Sequence, residues 1–90
     1  MSEIRLTVAH PAGLHARPAA LFVQTARHFR CALTVRHGER QANAKSILGV
    51  LALGAGPGAQ VTVEAQGADA EEALATLRAL VESGFAEAEG

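Results

Sequence analysis

The chain has 90 residues, 49% of them hydrophobic, and a formal net charge of -1 from 8 Lys+Arg against 9 Asp+Glu. That length supports one small domain with its own core but no deep internal cavity, so a functional site is expected at the surface. The near-neutral balance gives no ground for bulk attraction to nucleic acid, and a single cysteine, Cys31, excludes an internal disulfide and a paired-cysteine metal site.

In chain order, Glu3 to Val8 alternates, with Ile4, Leu6 and Val8 on one side and Glu3, Arg5 and Thr7 on the other: a half-buried strand. His10 to Gly13 breaks it. From Ala16 to about Phe29 the apolar period becomes helical, through Ala19, Phe22, Val23, Ala26 and Phe29. Pro18 is tolerated only in the first turn, so this helix is expected to begin just after His15. Leu33 and Val35 alternate with Thr34 and Arg36, and a turn at His37-Gly38 leads into a short strand near Arg40 to Ala44, which makes a hairpin. Ser46 is placed to cap a short helix over the run from Ile47 to Leu53, which Gly54 and Gly56-Pro57-Gly58 end. Val61, Val63 and Ala65 form another alternating strand. A last helix is expected from about Asp69 to Ser83, with Ala70, Ala73, Leu74, Leu77, Leu80 and Val81 inward and Asp69, Glu71 and Glu72 at its amino end. Residues 83–90 are expected to fray. Cys31 is expected in or at the edge of the core.

Strand, helix, strand, strand, short helix, strand, helix is an α+β pattern. Helices on one face of a largely antiparallel sheet would bury every apolar stripe in a two-layer domain. The order of strands does not follow from the pattern. No charged leader precedes a long apolar run and no segment is long enough to span a bilayer, so a cytoplasmic location is expected.

The segment Gly13-Leu14-His15-Ala16-Arg17-Pro18 joins a glycine turn, a histidine and an arginine at a helix start. Free N–H groups there favour an anion. A neutral imidazole nitrogen is a nucleophile, and an arginine fork can grip phosphate oxygens. The chain has no GxxxxGK[ST] loop, so a phosphoryl group on His15 would come from another protein, not from a bound nucleotide; no cofactor is expected. Residue chemistry alone also allows a plain polar cap at His15, a turn at Gly13 and a solvated Arg17. His10, His28 and His37 have no acid or second histidine at ligand-like spacing and are read as surface residues, with no metal site. Basic residues crowd before Ser46 and acidic ones after it, which fits either ordinary solvated surface or a basic face for an acidic partner.

His10 to Phe22, HPAGLHARPAALF, resembles the active-site signature of the HPr family of histidine phosphocarriers, from the phosphoenolpyruvate-dependent sugar phosphotransferase system. Lys45 to Gly54, KSILGVLALG, resembles that family's regulatory serine region, and the two motifs stand at the matching separation. The resemblance runs over nearly the whole chain. It implies a βαββαβα open-faced sandwich with sheet order 1-4-2-3. It implies phosphorylation of His15 at Nδ1, with enzyme I as donor and IIA domains of sugar permeases as acceptors. Arg17 matches the phosphate-side arginine, and Ser46 the serine modified by HPr kinase/phosphorylase. Ile47, Leu48 and Leu51 are expected to be partly exposed, as an apolar docking centre beside Arg17 and Lys45. Ala12 departs from the serine or asparagine of many relatives and removes one polar group near the active histidine. Competing readings are a nitrogen-branch regulatory phosphocarrier, a binding module that carries no phosphate, and a structural domain sharing the fold.

Overall fold

The computed structural model describes residues 2–85. Its elements are β1 (Ser2–Thr7), α1 (Ala16–Ala26), β2 (Ala32–His37), β3 (Arg40–Asn43), α2 (Ile47–Ala52), β4 (Gln60–Gln66) and α3 (Ala70–Glu82). The four strands are all antiparallel, in the order β1-β4-β2-β3. Each alternating strand turns its apolar side to one layer of helices. Leu6 faces Val61 across β1 and β4, and Val63 pairs with both Ile4 and Val35. The opposite sheet face carries Glu3, Arg5, Thr34, Arg36, Thr62 and Glu64, where Arg36 pairs with Glu64 at 2.8 Å and lies 4.0 Å from Glu3. The basic residues are therefore divided: Arg5 and Arg36 lie on the open sheet face, while Arg17 and Arg27 lie at the two ends of α1 in the helical layer.

Helix α1 buries Pro18, Ala19, Phe22, Val23 and Ala26, and α3 buries Ala70, Ala73, Leu74, Leu77, Leu80 and Val81, so both expected stripes face the sheet. Cys31 is buried in the same core. α1 stops at Ala26, short of the expected Phe29. The amides of His28 and Phe29 bond to the carbonyls of Thr25 and Ala26, three residues back, which tightens the last turn and leaves Phe29 half-buried against the core. The hairpin turn is Gly38-Glu39 rather than His37-Gly38. His37 pairs with Arg40, and the first turn residue, Gly38, takes φ +62.

The amino end of α3 uses Asp69 differently from expectation. Its carboxylate makes no capping bond to its own helix; it accepts from the amides of Arg30 and Cys31, each at 2.9 Å, and so ties the α1–β2 connection to the start of α3. The expected frayed segment does not begin at 83. The amide of Gly84 bonds to the carbonyl of Val81 and that of Phe85 to the carbonyl of Leu80, the paired bonds of a Schellman cap, with Gly84 at φ +68 and the Phe85 ring fully buried. An apolar ring two residues past the cap gains more by packing on the core than by staying in water. Residues 86–90 lie outside the described residues.

Candidate functional site at the start of helix α1

His15 is the N-cap of α1, in extended conformation at φ -129 and ψ 158, with an exposed side chain that makes no capping bond. A cap side chain ordinarily accepts from the amide two or three residues ahead. Here the residue three ahead is Pro18, which has no N–H. No acid stands in the first turn, so the positive end of the helix dipole is not offset by a neighbouring carboxylate on that turn. His15 and Arg17, both exposed, therefore stand together at the amino end of the helix, where backbone N–H groups favour an anion. An anion attached to the ring would meet these donors at once.

The loop that delivers His15 is fixed from beneath. The amide of Leu14 donates to the carbonyl of Ala55 at 2.8 Å, and the Leu14 side chain is buried. Gly13 has φ +67, and a Cβ there would stand 2.6 Å from the Ala55 oxygen and 2.7 Å from Gly56 Cα, so only glycine fits. His10 closes the turn: its carbonyl accepts from the Gly13 amide at 2.9 Å, and its Nδ1 accepts from the Ala12 amide at 3.0 Å. The His10 ring meets Phe85 edge-on, with centroids 6.1 Å apart. Ala16, the first helical residue, has φ +50, a left-handed conformation that a side chain disfavours.

The second motif lies at the far end of α1. Arg27 Nε donates to the carbonyl of Lys45 at 3.0 Å, and Lys45 Nζ donates to the carbonyl of Phe29 at 2.7 Å. Because the start of α1 is bonded to Ala55, just past α2, the two helices run antiparallel. Ser46 is then separated from His15 by roughly the length of α1, about 16 Å. Ser46 caps α2, its Oγ accepting from the Gly49 amide at 3.2 Å. Leu48 is 78% exposed, while Ile47 and Leu51 are half-buried against the core. The structure thus brings His15 and Arg17 together and places Ser46, Ile47 and Leu48 toward the other end, with Leu51 between. Lys45 does not stand beside Arg17; its ammonium is spent on the carbonyl end of α1.

His10 and His37 are half-buried with defined partners, unlike the plain surface residues expected. His37 Nδ1 bonds the Leu53 carbonyl at 3.0 Å, and beside it Arg40 donates to the Ala52 carbonyl at 3.1 Å, so the hairpin caps the end of α2. The glycine cluster after α2 reads in sequence only as a helix stop. Its second duty, a bare backbone on which Gly13 and Leu14 lie, needs the tertiary structure to be seen. Burial pushes the Cys31 thiol pKa up, helped by the Asp69 carboxylate, and its side chain takes no part in the corner at His15. The open grooves of about 420 Å³ beside Ile4, Leu74 and Arg78 and about 510 Å³ beside Arg30, Leu33 and Lys45 are not lined by His15. No set of three metal-ligating side chains occurs among the described residues. No helix among them is long and apolar enough to cross a membrane.

An exposed imidazole at a surface corner suits chemistry between proteins, and comparison with known proteins agrees. Residues 2–83 match the family model described as PTS HPr component phosphorylation site. The chain is 48% identical over 77 residues to the multiphosphoryl transfer protein of Xanthomonas campestris, covering 86% of this chain but only 9% of that much longer protein. It is 46% identical to the phosphocarrier protein HPr of Lysinibacillus sphaericus, over 97% of this chain and 100% of that one. Among solved structures, HPr from Thermoanaerobacter tengcongensis superposes with a TM-score of 0.92 at 46% identity, covering 94% of this chain and 96% of that chain. The chain belongs to the HPr family, the phosphocarriers of the phosphotransferase system.

Proposed function

We propose that His15 is the residue that carries the phosphoryl group, taking it from phospho-enzyme I and passing it to IIA domains of sugar permeases. The observation that carries this reading is the uncapped, exposed imidazole of His15 at the start of α1, at the positive end of a helix whose first turn holds no acid. In the transfer, the Nδ1 lone pair forms a bond to phosphorus as the bond from phosphorus to the donor's own group breaks. The phosphoryl oxygens then lie against the amides of Ala16 and Arg17 and the Arg17 guanidinium. These donors act on charge in place before the reaction, so little reorganisation is needed. Because the corner is open to solvent, it holds the group without trapping it, as a relay requires. Ala12 supplies no side-chain partner to the ring.

The exposed Leu48 with Ile47 beside it, continued by Leu51 toward Arg17, is the docking surface for both kinds of partner. A phosphoryl group added to Ser46 by an HPr kinase/phosphorylase leaves α2 capped and places new negative charge on that surface. It thereby slows the reaction at His15 through repulsion of an acidic partner rather than through unfolding. The site works in the cytoplasm, where these partners reside.

The relay is tested by incubating the chain with phosphoenolpyruvate, enzyme I of the same organism and a IIA domain. Phosphoryl transfer to the IIA domain is expected with the natural chain, is expected to be absent with His15→Ala, and is expected to slow by roughly ten- to a hundredfold with Arg17→Ala. Transfer that persists in His15→Ala would overturn the assignment.

A further inference from the structure

We infer that His10 is a positioning residue for the loop that presents His15, and that it serves only as the neutral ring with Nδ1 unprotonated. The inference rests on His15 being the phosphoryl acceptor. Its own evidence is the hydrogen bond at 3.0 Å in which His10 Nδ1 accepts from the Ala12 amide. An imidazole nitrogen that accepts an N–H must offer a lone pair, so the neutral ring here carries its proton on Nε2. A second proton goes onto that same Nδ1, and two donors then face each other. The ring must swing away or the turn must open.

Neither movement is absorbed locally. The ring is held by its edge contact with the buried Phe85 at the end of α3. The turn is closed by the Gly13 amide on the His10 carbonyl, and Gly13 is seated against Ala55 and Gly56 with no space for even a methyl group. Movement of Ala12 is passed through Gly13 and Leu14 to His15. His10 thus does for this loop what an asparagine side chain does in an Asx turn, bonding the backbone two residues on, but with an acceptor that disappears on protonation. Its position also answers the apolar Ala12: the turn takes its side-chain acceptor from residue 10. The charged and titratable groups of the described residues closest along the chain to the ring's two contacts are His15 and Arg17 on one side and Glu82 on the other; they do not alter which form of the ring can accept.

Two measurements test this. The first needs no phosphoryl transfer: the through-hydrogen-bond nitrogen–nitrogen coupling between the Ala12 amide and His10 Nδ1 is followed in the uniformly labelled chain across the titration of His10. Coupling is expected on the alkaline side and lost on the acid side; its absence on both sides would overturn the inference. The second compares phosphorylation rates of the natural chain, His10→Asn and His10→Phe under one donor, so that effects of pH on His15 and the donor cancel in the ratios. His10→Asn keeps an acceptor that does not titrate and is expected to match the natural chain near pH 8, then exceed it by about tenfold near pH 5.5, the factor that one hydrogen bond supplies. His10→Phe keeps a ring against Phe85 without an acceptor and is expected to be slower by about the same factor near pH 8. A ratio of His10→Asn to the natural chain that stays flat across this range would overturn the inference even where phosphorylation itself proceeds. Failure of every variant and the natural chain to gain phosphate would instead count against His15 as the acceptor, with the coupling measurement still deciding the role of His10.

Discussion

Ala16 opens α1 with φ +50, in a region where the Cβ of any residue but glycine is crowded. Holding alanine there costs roughly 1–2 kcal/mol, partly offset by the smaller conformational freedom that alanine loses on folding. Replacing Ala16 by glycine is therefore expected to stabilise the chain by about 0.5 kcal/mol or leave it unchanged, whereas glycine at the exposed helical Ala75 is expected to cost about 1 kcal/mol. Urea midpoints of the two variants check this, and an equal loss in both would contradict the strain. Asp69 gives a second test at this scale. The amide hydrogen bond from Arg30 leads the causes that hold its carboxyl below the usual carboxylate range. A carboxyl lowered in the folded state adds stability that is complete above the unfolded value of about 3.9 and drains away as pH falls through the folded value. Asp69→Asn is accordingly expected to be clearly less stable than the natural chain at neutral pH, with the gap closing below about pH 4. Thermal unfolding at a series of pH values measures the gap; one that is constant with pH would contradict it. Sequence showed Asp69 only as an acid at a helix start, because the amides it binds lie 38 and 39 positions away.

At the scale of elements, apolar period and punctuation sufficed where the cause is local. Ser46 caps α2 as its residue type and place suggest, and Pro18 puts the start of α1 just after His15. What local pattern could not give is how α1 and α2 are aligned. Their antiparallel run depends on Arg27, Lys45 and Leu14 finding distant carbonyls, and it sends Lys45 to the end of α1 away from Arg17. Ser46→Ala is expected to cost about 1 kcal/mol through loss of the cap. Ser46→Asp keeps an acceptor at the cap and is expected to retain stability while slowing phosphorylation of His15. Melting temperatures and initial rates measured together separate the two effects. A slow Ser46→Asp chain that is also unstable would contradict regulation by charge on the surface.

Across the whole molecule, the sheet order β1-β4-β2-β3 answers to the family resemblance of the two motifs, since alternation fixes which side of a strand is apolar but not its neighbours. The end of the chain shows the opposite limit. A glycine-led, polar-looking tail conceals Phe85, whose ring the Schellman cap turns back onto the core beneath the His10 loop. Phe85→Ala is expected to cost about 3 kcal/mol, a loss typical of a buried phenylalanine and far beyond that of a frayed residue. Chemical denaturation provides the value, and a change below about 0.5 kcal/mol, the range of ordinary surface sites, would contradict the packing.

The proposed relay turns on one histidine. The most direct test is the intact mass of the chain after incubation with phosphoenolpyruvate and active enzyme I from the same organism, read before and after brief acid treatment and beside His15→Ala. A gain of one phosphoryl group that acid removes, and that His15→Ala never acquires, is the predicted result. No gain in the natural chain, or the same gain in His15→Ala, would contradict it.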